Sequence, residues 1–223
     1  MPLLPIPANE YRRVRWRNGQ GWTREIATGV MATPAERQAS EGPQADLRSP
    51  AGASAQVAWD WRLSIAEIEQ NGPFSEFAGC DRVLVLLSGQ GMNLDFADGT
   101  RAELAPPHGR IAFASEQGVQ CALVDGPTTD FNAIVRRDHC SMQVYHRPLV
   151  GSMVFFAEAG VLWAIHLMAG RATVKSGDES AGLNAGDTVL FDNGGGDASV
   201  RSILDGGGDA LLVRIQRVVP SDA

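Results

Sequence analysis

The chain has a single lysine, Lys175, and only three cysteines among its 223 residues. Its 19 basic residues are outnumbered by 26 acidic ones, and the formal net charge is −7. A protein that binds nucleic-acid phosphates needs a basic patch, so this composition argues against a nucleic-acid partner. Three cysteines without a CxxC pair fit neither a disulfide framework nor a zinc site. They predict reduced thiols in a cytoplasmic protein.

Long apolar runs are also missing. The longest, at 83–87 and 161–169, have the length of strands, well short of the roughly 20 residues that cross a bilayer. The first nine residues lack the charged segment and the apolar core of a signal peptide. We therefore expect no membrane partner.

What the chain does contain is glycine, proline and many short apolar segments. It has 25 glycines and 12 prolines, and no long segment keeps a helical period. Trp59, Trp61, Leu63 and Ile65 alternate with polar residues, which is the period-2 pattern of a half-buried strand. Many short strands separated by turns are typical of an all-β sandwich or barrel.

A weak internal repeat divides the chain. Residues 83–94 and 162–174 each consist of an apolar strand, a turn glycine (Gly89 or Gly170) and another strand. The second copy continues into 183–191, which resembles the second cupin motif, where a Gly-Asp turn leads into a barrel strand. Such a repeat implies two similar β units packed together.

We therefore predict an all-β, bicupin-like fold with two β-barrel or jelly-roll halves, 1–140 and 141–223, in one compact two-lobed unit. Within the first half, residues 31–58 contain few bulky apolar groups. They cannot offset the entropy of ordering and are predicted to form an inserted flexible loop. The glycine triplets at 194–196 and 206–208 are predicted to be flexible hairpin tips.

The histidines are too scattered for a metal site. Metal-binding cupins carry two closely spaced histidines, then a glutamate shortly before the turn glycine, and a later histidine. Residues 72–82 contain no histidine, and Arg82 stands at the glutamate position. A guanidinium there repels a divalent cation and attracts an anion. We expect no metal and no other cofactor.

No nucleophile has a convincing partner. The sequence around Ser152 is not a GxSxG elbow. His139 and Cys140 are neighbours in the chain, and neighbours in a strand point to opposite faces. No catalytic residue is predicted.

Strand alternation groups polar side chains in the N-terminal half. Arg62 and Ser64 share one face of their strand, and Thr23 and Glu25 share one face of another. Arginine and serine amid aromatic groups suit a small carboxylate ligand. The alternative is that the charged residues are surface ion pairs at the sheet edges. That alternative concerns Arg24, Glu25, Arg62, Glu67 and Arg82.

Four ordered blocks of the chain resemble the HutD/Ves family. The first, 16–27, runs from Trp-Arg-Asn-Gly-Gln-Gly into Thr-Arg-Glu-Ile, with Gln20 where the family has a glycine. The others lie at 61–68, 72–82 and 126–132. The resemblance implies a bicupin-type fold, a bacterial cytoplasmic location and a link to histidine utilisation, with a regulatory rather than an enzymatic role.

The positions of these blocks agree with the ligand-binding cavity that strand alternation suggests for the N-terminal half. The predicted ligand-binding residues are Asn18, Thr23, Arg24, Arg62, Ser64, Arg82 and Asn132. The first hypothesis is a metal-free binding or regulatory protein for a small anionic metabolite, with a homodimer left open. The second is a metal-free isomerase or hydrolase that uses Glu25 or Glu67 as general base. The third is a structural interaction module.

The inserted loop gives a first prediction. Replacing residues 33–56 with a short Gly-Ser linker should leave the melting temperature nearly unchanged, because closure entropy varies slowly with loop length. Thermal denaturation of the shortened and full-length proteins measures this. A loss of several kcal/mol of unfolding free energy would mean that the segment packs, for instance through Met31 or Leu47.

Overall fold

The computed structural model describes residues 3–31, 59–196 and 198–218. In this part of the chain the regular structure is almost entirely strand, with one 3-10 turn at Ala8–Glu10, which confirms the all-β fold class. The strands are β1 (Leu4–Ile6), β2 (Arg12–Arg15), β3 (Gly21–Gly29), β4 (Trp61–Ile68), β5 (Gly72–Pro73), β6 (Cys80–Ser88), β7 (Met92–Phe96), β8 (Arg101–Leu104), β9 (Arg110–Ala114), β10 (Val119–Leu123), β11 (Thr128–Arg136), β12 (Cys140–Val150), β13 (Met153–Ala157), β14 (Val161–Ser176), β15 (Glu179–Asn184), β16 (Thr188–Asp192) and β17 (Val200–Arg217).

The chain divides into two units. The described residues of the site unit are 12–29 and 59–138, and those of the C-terminal unit are 3–11, 30–31, 139–196 and 198–218. The first residues therefore belong with the C-terminal unit, whereas the predicted division assigned them to the N-terminal half. Of the predicted inserted loop, residues 32–58 lie outside the described residues.

Strand β1 explains this reassignment. It pairs antiparallel with β16, and Leu4 lies opposite Leu190. The neighbouring residue Pro5 cannot donate a backbone hydrogen bond, but β1 is the outer strand of its sheet, where proline is tolerated. The start of the described chain therefore forms an edge strand of the C-terminal unit.

The C-terminal unit is built on one seven-stranded sheet. Its strand order is β1-β16-β14-β17-β12, with β13 attached to β17 and β15 attached to β14. Its core includes Phe155, Ile165, Leu167 and Phe191, all at most 4% exposed. Phe155 alternates with more exposed positions along β13, whereas every residue of β16 is buried.

The site unit contains two sheets. The six-stranded sheet has the order β2-β3-β4-β11-β6-β9, and the four-stranded sheet has the order β5-β10-β7-β8. Residues of both contribute to one core, including Ile68 and Leu84 from the larger sheet and Leu94 and Val119 from the smaller one. Gly72–Pro73 forms the short strand β5 beside β10.

Two glycine features that were predicted as turns lie inside long strands. Gly170 is an interior residue of β14, and residues 206–208 are interior to β17. Gly208 pairs with Gly170, next to a register shift between Leu167 and Ala169. A Cβ atom on Gly208 would lie 1.9 Å from the Ala169 carbonyl oxygen. These glycines therefore permit two backbones to approach closely, and do not mark hairpin tips.

All three cysteines, Cys80, Cys121 and Cys140, are buried. In the parts of the chain that the structure describes, no helix is long and apolar enough to cross a membrane.

Gly208→Ala should lower the unfolding free energy by at least about 2 kcal/mol, because the new Cβ meets backbone and φ is +129°. The matched control is Gly182→Ala in β15, where a Cβ meets nothing within 4 Å. It should change stability by less than about 1 kcal/mol. Urea denaturation of both variants measures the difference. Equal stability of the two would contradict the close-approach explanation.

Candidate functional site

The site unit contains a cavity of about 620 Å³. Strands β3, β4, β6 and β11 supply one part of its lining, and the segments that follow β2 and β5 supply much of the rest. Its aromatic lining residues are Trp16, Trp59, Phe74 and Phe77. Its charged lining residues are Arg15, Arg17, Arg62, Arg82 and Asp130. Its uncharged polar lining residues are Asn18, Thr23, Ser64, Ser75 and Asn132.

The strand register brings the polar residues onto one face. Strand β11 lies between β4 and β6, and Asn132 is opposite both Ser64 and Leu84. Two residues earlier, Asp130 is opposite Ala66. Because side chains alternate along a strand, residues two apart point to the same side of the sheet. The alternation that predicted a shared face for Arg62 and Ser64 is therefore also what assembles the cavity wall.

Six of the seven predicted ligand-binding residues line this cavity, and Arg24 does not. Arg24 follows Thr23 in β3, so the two side chains point to opposite faces. The Nε atom of Arg24 lies 2.8 Å from a carboxylate oxygen of Glu67, which also contacts Arg13 at 2.5 Å. Arg24 is thus a member of an ion-pair group outside the cavity, as the alternative interpretation expected for charged residues.

Asn18 lines the cavity and also shapes its own loop. Its Oδ1 accepts a hydrogen bond from the Gln20 backbone N–H at 3.0 Å, and its Nδ2 donates to Gln20 Oε1 at 2.6 Å. Gln20 Nε2 in turn donates to the Asn71 carbonyl at 2.9 Å. A Cβ at Gly72 would lie 2.2 Å from Gln20 Oε1. The glutamine that replaces a family glycine therefore ties this loop to the start of β5.

A buried polar chain crosses strands β6 and β11. Arg82 donates from both Nε and Nη2 to Asn132 Oδ1, with 2.8 Å between Nε and Oδ1. Asn132 Nδ2 donates to Asp130 Oδ2 at 2.5 Å. The three residues are 8%, 2% and 0% exposed, respectively. A guanidinium and a carboxyl group are thus held in the protein interior through one bridging amide.

The hydrogen-bonded network of Arg82, Asn132 and Asp130 has one unpaired polar atom at each end. Arg82 Nη1 and Asp130 Oδ1 are buried and have no hydrogen-bond partner among the described residues. The Arg82 guanidinium also lies over two aromatic rings, 5.0 Å from the centroid of Phe74 and 5.7 Å from that of Phe113. Ring faces attract a cation, and they fix the orientation of the guanidinium plane. One donor and one acceptor therefore remain available for a ligand.

Burial shifts both ionisable groups towards their neutral forms. Desolvation raises the pKa of Asp130 to about 7, against the opposing effects of the Arg82 charge and the Asn132 hydrogen bond. Desolvation also lowers the pKa of Arg82 to about 10; nearby Asp130 opposes this shift and Arg62 adds to it. Arg82 stays charged at neutral pH, whereas Asp130 titrates near it.

Arg62 is a partly buried arginine of the cavity lining. Its Nε donates to Glu25 Oε2 at 3.1 Å, and the two side chains are 16% and 11% exposed. Glu25 is therefore already paired, and Glu67 lies in the ion-pair group outside the cavity. Neither carboxylate stands free as the general base that the enzyme hypothesis assigned to it.

Sequence reasoning missed Asp130. It is the one acidic residue among those that line the cavity. Asp130 belongs to the family block at 126–132, but it was assigned no role there, and the strand that carries it, β11, begins at Thr128. The spacing of two residues between Asp130 and Asn132 is the signal that places both side chains on one face of this strand.

The described residues contain no group of three or more His, Cys, Asp or Glu side chains that could hold a metal ion. Among the polar groups of the cavity, the guanidinium groups only donate hydrogen bonds, whereas the amide and hydroxyl groups can donate or accept. This set can recognise a small polar molecule, and it favours a negatively charged one.

The sheets and the cavity define an all-β, cupin-like protein. The HutD family model matches residues 8–212, and the chain belongs to the HutD family. A Pseudomonas putida relative, described as an uncharacterized 21.2 kDa protein in the hutC 3' region, is 37% identical over 132 residues. That match spans 59% of this chain and only 57% of the relative.

Two solved structures resemble the chain over almost its whole length. HutD from Pseudomonas fluorescens SBW25 is 27% identical with a TM-score of 0.72, and the match covers 97% of this chain and 100% of that one. A conserved protein of unknown function from Pseudomonas aeruginosa PAO1 is 25% identical with a TM-score of 0.75, covering 98% and 100%.

The raised pKa of Asp130 predicts a pH-dependent stability that Asp130→Asn removes. The folded protein holds this proton more tightly than the unfolded chain, so the stabilisation is complete below the ordinary pKa of 3.8 and is lost as pH rises through about 7. Relative to the variant, the wild type should lose about 1.4 kcal/mol of unfolding free energy per unit of pKa shift.

Urea unfolding of both proteins at about pH 5 and about pH 8 measures this difference. The control is Asp125→Asn, at an exposed turn position before β11, which should follow the wild type. A stability difference between wild type and Asp130→Asn that does not change with pH would contradict the buried, titrating carboxyl group.

Proposed function

We propose that the protein binds a small carboxylate-bearing metabolite in this cavity, without a metal, and serves as a binding or regulatory protein linked to histidine utilisation. The observation that carries the proposal is Arg82. Its guanidinium is buried, remains charged at neutral pH and keeps Nη1 without a partner among the described residues. A buried cation with a free donor favours an anionic acceptor.

The composition of the cavity lining supports an anion. Arginines at positions 15, 17, 62 and 82 line the cavity with a single acidic residue, Asp130, although Arg15 and Arg62 also pair with Glu69 and Glu25. Phe74 and Phe77 supply apolar wall, which excludes water and strengthens a charge-assisted hydrogen bond. Ser64 and Thr23 supply hydroxyl groups that orient a ligand. This combination suits a compact carboxylate better than an extended polymer.

The link to histidine utilisation is supported by family membership. The Pseudomonas putida relative is described by its position in the hutC 3' region, and the Pseudomonas fluorescens relative is named HutD. A binding protein of that setting would take up a metabolite whose concentration reports on the pathway. A protein that only docks to partners would leave the buried Nη1 donor of Arg82 without a role.

A second candidate function is a metal-free enzyme acting on a small carboxylate. One observation favours it: burial raises the pKa of Asp130 to about 7, within the range where a general acid or base works best at neutral pH. Asp130 replaces Glu25 and Glu67 in that hypothesis. Incubating the protein with each carboxylate that it binds, and following the ligand by NMR, separates turnover from simple binding.

A thermal-shift screen with small carboxylates should identify ligands, and calorimetry on variants should then locate the site. Arg62→Ala and Arg82→Ala should each weaken binding roughly tenfold to a hundredfold, because each removes a charge-assisted hydrogen bond. Arg82→Lys should rescue only part of the loss, since lysine offers a point charge and not a planar fork. Ser64→Ala should cost less, as one neutral hydrogen bond.

The matched control is Arg24→Ala, which removes the same charge from the same unit but outside the cavity. It should keep wild-type affinity. The melting temperature of every variant is measured in parallel, because Arg82 also supports Asn132. Unchanged affinity in folded Arg62→Ala and Arg82→Ala proteins would contradict the proposed site.

A further inference from the structure

We infer that the ligand of this cavity carries, besides its carboxylate, a hydrogen-bond donor such as an N–H group that binds Asp130 Oδ1. The inference rests on the proposed function and narrows its ligand class. It makes Asp130 a specificity-determining residue that distinguishes a plain carboxylate from one with a donor beside it.

The two unused atoms belong to one hydrogen-bonded network. Arg82 Nη1 is a donor and Asp130 Oδ1 is an acceptor, and both are buried without a partner among the described residues. Both residues hydrogen-bond to the same amide, Asn132, so their separation is set by one small side chain. The cavity lining therefore contains one unused donor and one unused acceptor, on two residues that Asn132 holds in place.

The orientation of the Asn132 amide is fixed by its hydrogen-bond partners. Asn132 Oδ1 accepts from Nε and Nη2 of Arg82, which can only donate. The Nδ2 group must therefore face Asp130, where it donates to Oδ2. This assignment uses Oδ2 and leaves Oδ1 as the oxygen available to a ligand.

A ligand without a hydrogen-bond donor should bind this cavity more weakly. A carboxylate without a donor would place an oxygen or an apolar atom against Asp130 Oδ1, and the buried carboxylate oxygen would stay unpaired. A site built to accept a hydrogen bond rejects analogues that cannot donate one. We therefore expect the donor-bearing member of a matched ligand pair to bind roughly tenfold to a hundredfold more tightly.

The charged and titratable neighbours of Asp130 set the pH at which this discrimination operates. They are Arg82 on β6 and Cys121 on β10, whose thiol pKa is raised to about 12 mainly by burial and also by Asp130. Arg62 on β4 lines the same cavity and acts on Arg82. Below about pH 7 Asp130 binds a proton, which belongs on Oδ1 because Oδ2 accepts from Asn132. Oδ1 then donates, so the preference for a donor should shrink.

The experiment uses ligand pairs of equal charge and closely matched shape. Pyrrole-2-carboxylate carries a ring N–H where furan-2-carboxylate carries an oxygen. The corresponding 3-(pyrrol-2-yl)propanoate and 3-(furan-2-yl)propanoate extend the reach of the same pair. Isothermal titration calorimetry on the full chain at about pH 8 should give tighter binding of the pyrrole member, and a smaller ratio at about pH 6.

Asp130→Asn should remove or reverse this ratio, because the new amide can turn an N–H towards the ligand. Asp125→Asn, at the exposed turn before β11, is the control and should keep it. Should Asp130→Asn fail to fold, the wild-type ratio and its change with pH decide alone.

Equal affinities within the ligand pairs, with binding still weakened by Arg82→Lys, would overturn the inference and leave the proposed function standing. A preference that survives in folded Asp130→Asn would also overturn it. Absence of binding by every carboxylate tested would contradict the proposed function, and the inference with it.

Discussion

The hydrogen-bonded chain from Arg82 through Asn132 to Asp130 is the constraint on which the cavity depends. Burying a guanidinium and a carboxyl group is costly unless their polar atoms are paired. The amide of Asn132 satisfies one side of each group, and the register of β11 between β4 and β6 holds it there. This arrangement places a positive charge in the cavity lining. It also leaves two atoms unpaired, Arg82 Nη1 and Asp130 Oδ1.

The surrounding structure maintains that network. Phe74 and Phe113 lie against the guanidinium of Arg82, and Arg62 is held by Glu25 on the neighbouring strand β3. At the other end of the lining, the side chain of Trp16 donates to Thr23 Oγ1 at 2.8 Å, which fixes the loop that follows β2. Side chains of the cavity lining are therefore held by hydrogen bonds to neighbouring protein groups. This preorganisation reduces the entropy lost when a ligand binds.

Alternation along strands was enough to predict much of the site from the sequence. It grouped Arg62 with Ser64, and the family blocks added Arg82 and Asn132. It was applied only to the strands that carry Arg62, Ser64, Thr23 and Glu25, which is why Asp130 on β11 was missed. Arg24 was included because it belongs to a family block, although alternation puts it opposite Thr23. The glycines at 170 and 208 were predicted as turns because the reason for glycine there, the close approach of another strand, lies far away in the sequence. The pairing of β1 with β16 is likewise a contact between distant parts of the sequence.

The central claim is that the free donor of Arg82 receives a ligand carboxylate. The most direct measurement is a crystal structure of the protein with a carboxylate that raises its melting temperature. The expected result is a carboxylate oxygen within hydrogen-bonding distance of Arg82 Nη1, inside the cavity of the site unit. A carboxylate bound elsewhere, with Arg82 Nη1 paired to another protein atom, would contradict the account.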